Sequence, residues 1–94
     1  MAKAPEFKYM KESTYWAHYQ KYLQEYNKQR SKHEFKSGSR AYQFNDFVRN
    51  YNDAYEIEVL EGRTPDKYNL YKKIAKSGRA YTDKQEKAFR EVWN

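Results

Sequence analysis

The chain has no cysteine, only three glycines and two prolines in 94 residues, and few aliphatic side chains: two Ile, three Leu and three Val. The missing cysteine excludes disulfides and thiolate metal sites. Glycines only at 38, 62 and 78 leave no nucleotide-binding glycine loop and no nucleophile elbow of the Gly-x-Ser-x-Gly kind. No apolar run approaches the ~20 residues of a membrane span. The first ten residues, MAKAPEFKYM, lack the apolar stretch of a secretion signal. A soluble, cytoplasmic protein with no membrane partner is the expectation. His18 and His33 have no partner at metal-ligand spacing. The acidic residues between 46 and 61 lack the alternation and turning glycine of a calcium loop. Nothing here supplies a cofactor, a metal site or a catalytic constellation, and the chain reads as a non-enzyme.

Rings take the place of the missing aliphatics. Eleven Tyr, five Phe and two Trp must build the core. A buried ring removes a large apolar area from water, while each tyrosine hydroxyl needs a partner or a wet edge. The resulting core is thin, with many half-buried tyrosines. Tyrosine is also favoured at binding surfaces.

The periodicity is helical throughout. In STYWAHYQKYLQEYNKQR, Tyr15, Tyr19, Tyr22 and Tyr26 recur at steps of four, three and four, with Trp16 and Leu23 beside them, so the stripe shares one face of a helix. That face is read as core, and the helix is placed at 12–33 with Ser13 or Thr14 as cap. A second helix at 39–61 carries Phe44, Phe47, Val48, Tyr51 and Tyr55 inward. Its last part, YEIEVLEG, alternates like a strand, but no other strand is available to pair with it, so it is kept helical and Gly62 ends it. Thr64-Pro65-Asp66 signals a third helix at 65–77, with Tyr68, Tyr71, Ile74 and Ala75 inward. A fourth, at 83–93, follows the capping-box residues Thr82 and Gln85 and turns Ala88, Phe89, Val92 and Trp93 inward. One all-α domain over 1–94, of four helices or two αα-hairpins, is the expected fold.

A phrase recurs forty residues apart. Ser37-Gly38 and Arg40-Ala41-Tyr42 match Ser77-Gly78 and Arg79-Ala80-Tyr81, which reads as a weak internal repeat of helix, glycine joint, helix. Each joint would place an arginine before a helix start, where unpaired amides favour an anion.

Charge is segregated along the chain. Residues 1–40 hold nine basic and four acidic residues, net +5; residues 41–62 are net −4; residues 63–94 are again net +5, for a total of +6. Basic clusters at two ends attract polyanions. The leading expectation is therefore a small nucleic-acid-binding protein that grips phosphates at the two joints. Lys28, Arg30, Lys32, Lys36, Ser37, Ser39 and Arg40 would form one patch, and Lys72, Lys73, Lys76, Ser77 and Arg79 the other. The runner-up is a protein–protein module, an inhibitor or adaptor of phage type. It would use Tyr42, Tyr55, Tyr81 and Trp93 with the acidic residues Glu56, Glu58 and Glu61, and the alternating charge also suits a head-to-tail homo-oligomer. Finally, LYKKIAKSGRAYTDKQEKAFREVW resembles a helix-turn-helix unit, although Gly78 follows Ala75 by three residues where that pattern has four. The resemblance implies a second helix presenting Asp83, Lys84, Lys87 and Arg90 to the major groove.

Overall fold

The tyrosine stripe becomes the buried face of α1, Glu12–Ser31, in a computed structural model that describes residues 5–32 and 39–77 together with Lys84, Gln85, Lys87, Ala88 and Glu91. Two further helices are defined among the described residues, α2 at Phe44–Leu60 and α3 at Leu70–Lys76. No strand occurs among them, and the domain is all-α. The five described residues between 84 and 91 are helical and exposed. The rest of the expected fourth helix, with Thr82, lies outside the described residues, as do both glycine joints at 38 and 78.

Tyr15, Tyr22, Phe47, Val48 and Tyr51 are fully buried, joined by Tyr26, Leu70, Ile74 and Ala75. Burying side chains of this size contributes roughly 1.5–3 kcal/mol each. α1 and α3 approach most closely, while α1 and α2 are held apart by the rings between them. Tyr15 meets Tyr51 edge-on at 5.4 Å, and Tyr22 meets Phe47 at 5.0 Å.

The hydroxyls of this core settle the irregular backbone. The Tyr15 hydroxyl donates to Asn52 Oδ1 at 2.7 Å and accepts from the Tyr9 N–H at 3.2 Å. Asn52 Nδ2 in turn donates to the Glu6 carbonyl at 2.8 Å, so residues 5–11 are strapped across α1 and α2. Tyr22 accepts from the Tyr42 N–H at 2.8 Å, and Tyr19 donates to the Tyr42 carbonyl at 2.9 Å. Tyr51 donates to the Lys67 carbonyl at 2.8 Å. Each tyrosine thus supplies ring area to the core and a partner to a loop that has no ladder of its own.

These bonds explain where the helices depart from expectation. α2 begins at Phe44 rather than 39, because Tyr19 and Tyr22 take both polar groups of Tyr42 and Gln43 is extended at φ −72°, ψ 164°. α3 begins at Leu70 rather than 65, because the Asp66 carboxylate accepts from the Tyr68 N–H at 3.1 Å and the Asn69 amide at 2.8 Å. That local turn competes with a helical start. Tyr68, expected inside, is consequently exposed. Neither Ser13 nor Thr14 caps α1; Lys11 is the N-cap and makes no side-chain cap bond. The end of α2 meets expectation. Residues 55–60 are helical, and Gly62 at φ +79° closes the helix, its N–H donating to Val59 and that of Arg63 to Glu58.

Candidate functional site

The acidic residues of α2 do not form an open patch. Glu58 is buried and accepts from both Arg63 and Lys73, tying the end of α2 to the turn and to α3. Its hydrogen bonds to Arg63 and Lys73 hold its carboxyl down at about 2. Glu61 pairs with Arg63. Glu56 accepts from the Tyr9 hydroxyl at 2.9 Å and from Lys8 at 3.3 Å, and Tyr55 stacks on Tyr9 at 3.8 Å. Of the side chains assigned to a partner surface, Tyr42 and Glu58 are buried instead, because one anchors a loop and the other an ion-pair hub. Tyr81 and Trp93 lie outside the described residues.

The cations sort into two sets. Lys8, Arg49, Arg63 and Lys73 face carboxylates, the second of them Asp46 at 3.4 Å. Lys73 therefore leaves the basic patch expected of it. Lys21, Lys32, Lys72 and Lys76 are exposed and make no ion pair among the described residues, as is also true of Lys11 and Lys67 elsewhere. Helical register sets Lys21 and Lys32 on one side of α1. Lys21, Lys28 and Lys32 repeat at seven and four residues along α1. Lys21 lies one turn beyond His18, whose ring meets Tyr71 of α3 edge-on at 5.9 Å. On α3, Lys72 and Lys76 follow Tyr71 around the outer side. Lys28 carries Glu25 at 3.6 Å but stays exposed. Arg30, at the end of α1, is exposed too, as is Arg40 in the connection.

The serines contribute less than expected. Ser39 is buried, and the exposed Ser77 donates its hydroxyl to the Ile74 carbonyl at 2.8 Å. Lys36, Ser37 and Arg79 lie outside the described residues. Of the helix-turn-helix contacts, Lys84 and Lys87 are exposed, and Asp83 and Arg90 lie outside the described residues. Lys21 was missed, although its spacing from Lys28 and Lys32 could have disclosed it. No cluster of potential metal ligands occurs among the described residues, and no helix there is long and apolar enough to cross a membrane.

Two apolar features were also missed. Trp16, assigned to the core stripe, is 45% exposed and stacks face to face on Phe44, with ring centroids 3.6 Å apart and planes within 4°. A shallow hollow of about 240 Å³ beside it is lined by Trp16, Gln43, Phe44, Asn45 and Asp46. Between α2 and α3 runs a groove of about 470 Å³, with Ala54, Ile57, Leu60 and Ile74 along it and Asp53 and Glu56 at its rim. Leu60 is 85% exposed.

A protein-family model described as the Alp7A C-terminal domain matches residues 4–94. No curated protein and no solved structure matches the chain.

Proposed function

The chain belongs to the Alp7A C-terminal domain family, and on the separate ground of its charge segregation we propose a non-enzymatic module that binds nucleic acid through phosphates. The contacting surface is the flank of α1 and α3: Lys21, Lys28, Lys32, Lys72 and Lys76. The observation that carries the reading is the sorting of cations. Lys8, Arg49, Arg63 and Lys73 are held by carboxylates, while Lys21 and Lys32 along α1 and Lys72 and Lys76 of α3 are exposed and make no ion pair among the described residues. A surface of this kind releases counterions when it meets a polyanion, giving contact that is steeply salt-dependent and weakly sequence-selective. The reading moves the grip from the glycine joints to a helical face, with 83–93 as a fourth helix adding Lys84 and Lys87. The test is the triple variant Lys21→Gln, Lys72→Gln, Lys76→Gln. It is expected to lose roughly ten-fold or more in affinity for a short duplex at low salt; unchanged affinity would dismiss the flank.

A second reading rests on the aliphatic groove. Three of the chain's eight aliphatic residues, Ile57, Val59 and Leu60, are left exposed at the end of α2. An apolar strip of that kind, with Asp53 and Glu56 beside it, complements the basic flank of a second copy, which gives head-to-tail association. Sedimentation at low salt is expected to show oligomers that Leu60→Ser with Ile57→Ser removes. A monomer at every concentration would eliminate this reading.

A further inference from the structure

Tyr9 of the strap and Tyr55 of α2 meet face to face. Their ring centroids are 3.8 Å apart and their planes lie within 17°. The other tyrosine pairs among the described residues have centroids 5.4 to 6.2 Å apart. Both Tyr9 and Tyr55 are half-buried, so the stack is held by the fold and still reached from solvent.

The pair is also equipped to lose electrons. The Tyr9 hydroxyl donates to Glu56 Oε1 at 2.9 Å, within the range for proton transfer. Hydrogen bonds from Tyr9 and Lys8 hold the Glu56 carboxyl below the usual carboxylate range, so it is an ionised acceptor at neutral pH. Partial burial, and then the hydrogen bond to Glu56, push the Tyr9 phenol up to about 12. The phenol therefore keeps its proton until an electron leaves. A phenol that has lost an electron is a strong acid, and Glu56 is placed to take that proton. Lys67 Nζ lies 6.0 Å from the centre of the Tyr55 ring. A cation near a ring face favours the electron-rich form of that ring, so Tyr9 is oxidised before Tyr55.

We propose that Tyr9 and Tyr55 are an oxidative modification site, at which a one-electron oxidant of the ferryl-haem or ruthenium(III) class joins the strap to α2 as a dityrosine. Each tyrosine gives one electron to the oxidant. Tyr9 passes its phenolic proton to Glu56, and Tyr55 loses its own to water. Unpaired spin in a phenoxyl ring is shared with the carbons ortho to oxygen, in orbitals perpendicular to the ring plane. Stacked faces therefore present those carbons to each other. One carbon–carbon bond forms between them, and the hydrogen on each bonded carbon moves to its ring oxygen, restoring both phenols. In sum, two oxidant molecules are each reduced by one electron, two protons are released, and the chain is lighter by two hydrogen atoms. A covalent link between residues so far apart in the chain constrains the unfolded state and pins the strap. This site is independent of nucleic-acid binding.

The test illuminates dilute protein briefly with ruthenium tris-bipyridine and persulfate, which generate ruthenium(III). The expected product is a monomer with blue dityrosine emission, lighter by two hydrogen atoms, in which tryptic residues 9–11 are joined to residues 50–63. It should melt at a higher temperature than the untreated chain. Tyr9→Phe and Tyr55→Phe each keep a ring in the stack and should abolish this product, with unchanged helical circular dichroism. Glu56→Gln should slow its formation several-fold, and so should unfolding the chain in urea. Dityrosine formed only between molecules, through the 75% exposed Tyr68, with Tyr9 and Tyr55 unmodified, would overturn the proposal. So would a monomer product that survives Tyr55→Phe, or one that forms as fast in urea.

Discussion

The C-terminal end of α2 and the flank formed by α1 and α3 treat charge in opposite ways. Around Glu56, Glu58 and Glu61, nearly every charge has a partner within the domain, drawn from the strap, the turn and α3. Along the α1–α3 flank the lysines are exposed, and among the described residues the one ion pair they make there is that of Lys28 with Glu25 on its own helix. The primary sequence is acidic in its middle and basic at both sides, and folding brings basic residues from each side onto the acids. What is left without an ion pair among the described residues is a subset of the cations, Lys21, Lys32, Lys72 and Lys76 among them. The paired end fixes architecture; the flank is the surface proposed to meet a polyanion.

The strongest way to break this contrast is to reverse the charges of the flank and, separately, to neutralise the cations paired at the end of α2. Lys21→Glu with Lys72→Glu and Lys76→Glu is expected to lower nucleic-acid affinity by two orders of magnitude or about that at low salt. Replacing Lys8, Arg63 and Lys73 by Gln should leave affinity within about two-fold while lowering the melting temperature. Electrophoretic mobility shift and thermal melting read the two effects. Next in size is Tyr22→Phe, which orphans the buried N–H of Tyr42 in the connection that carries Arg40. The expected loss is about 1–3 kcal/mol in chemical denaturation.

Acidification separates the two regions by pH. His18 is buried between Tyr51 and Tyr71 with its Nδ1 unbonded, and burial followed by the positive charge of Lys21 lowers its pKa. An unfolded histidine takes up its proton first, so this contribution is whole above about pH 6.5 and declines as pH falls below it. Glu58, held down at about 2, contributes above about pH 4.5 and is lost between there and 2. Stability measured by denaturant should therefore decline in two limbs. His18→Gln should flatten the first, and Glu58→Gln the second. The smallest change is Gly62→Ala. Open space surrounds a Cβ there, so only the left-handed backbone opposes it, at about 1–2 kcal/mol.

Much of the fold was legible because its signals were local. The spacing of Tyr15, Tyr19, Tyr22 and Tyr26 located α1 to within two residues, and Gly62 located the end of α2. What eluded sequence reasoning depended on partners far along the chain. Nothing near Ser39 announces that Tyr19 and Tyr22 will hold Tyr42 extended and delay α2. The Thr-Pro-Asp signal was genuine turn chemistry, but Asp66 used its carboxylate on Tyr68 and Asn69 instead of opening a helix. The candidate site was legible as basic composition, and Lys28, Lys32, Lys72 and Lys76 were chosen from it. Lys73 looked equivalent to its neighbours and differs only because α3 turns it toward Glu58. Trp16 shared the periodicity of the buried tyrosines and lies at the margin of their stripe, where pattern alone does not separate inside from outside.

The central claim is that uncompensated lysines on one flank grip phosphates, and the dependence of affinity on salt tests it most directly. Between about 50 and 200 mM salt, the logarithm of the binding constant for an oligonucleotide should fall linearly against the logarithm of salt. The slope should be roughly −3 to −4, as expected if four or five phosphates are contacted on a single strand. In the variant with Lys21, Lys72 and Lys76 changed to Gln, the slope should shrink by about two. A slope near zero, or one that the three substitutions leave unchanged, would contradict the account.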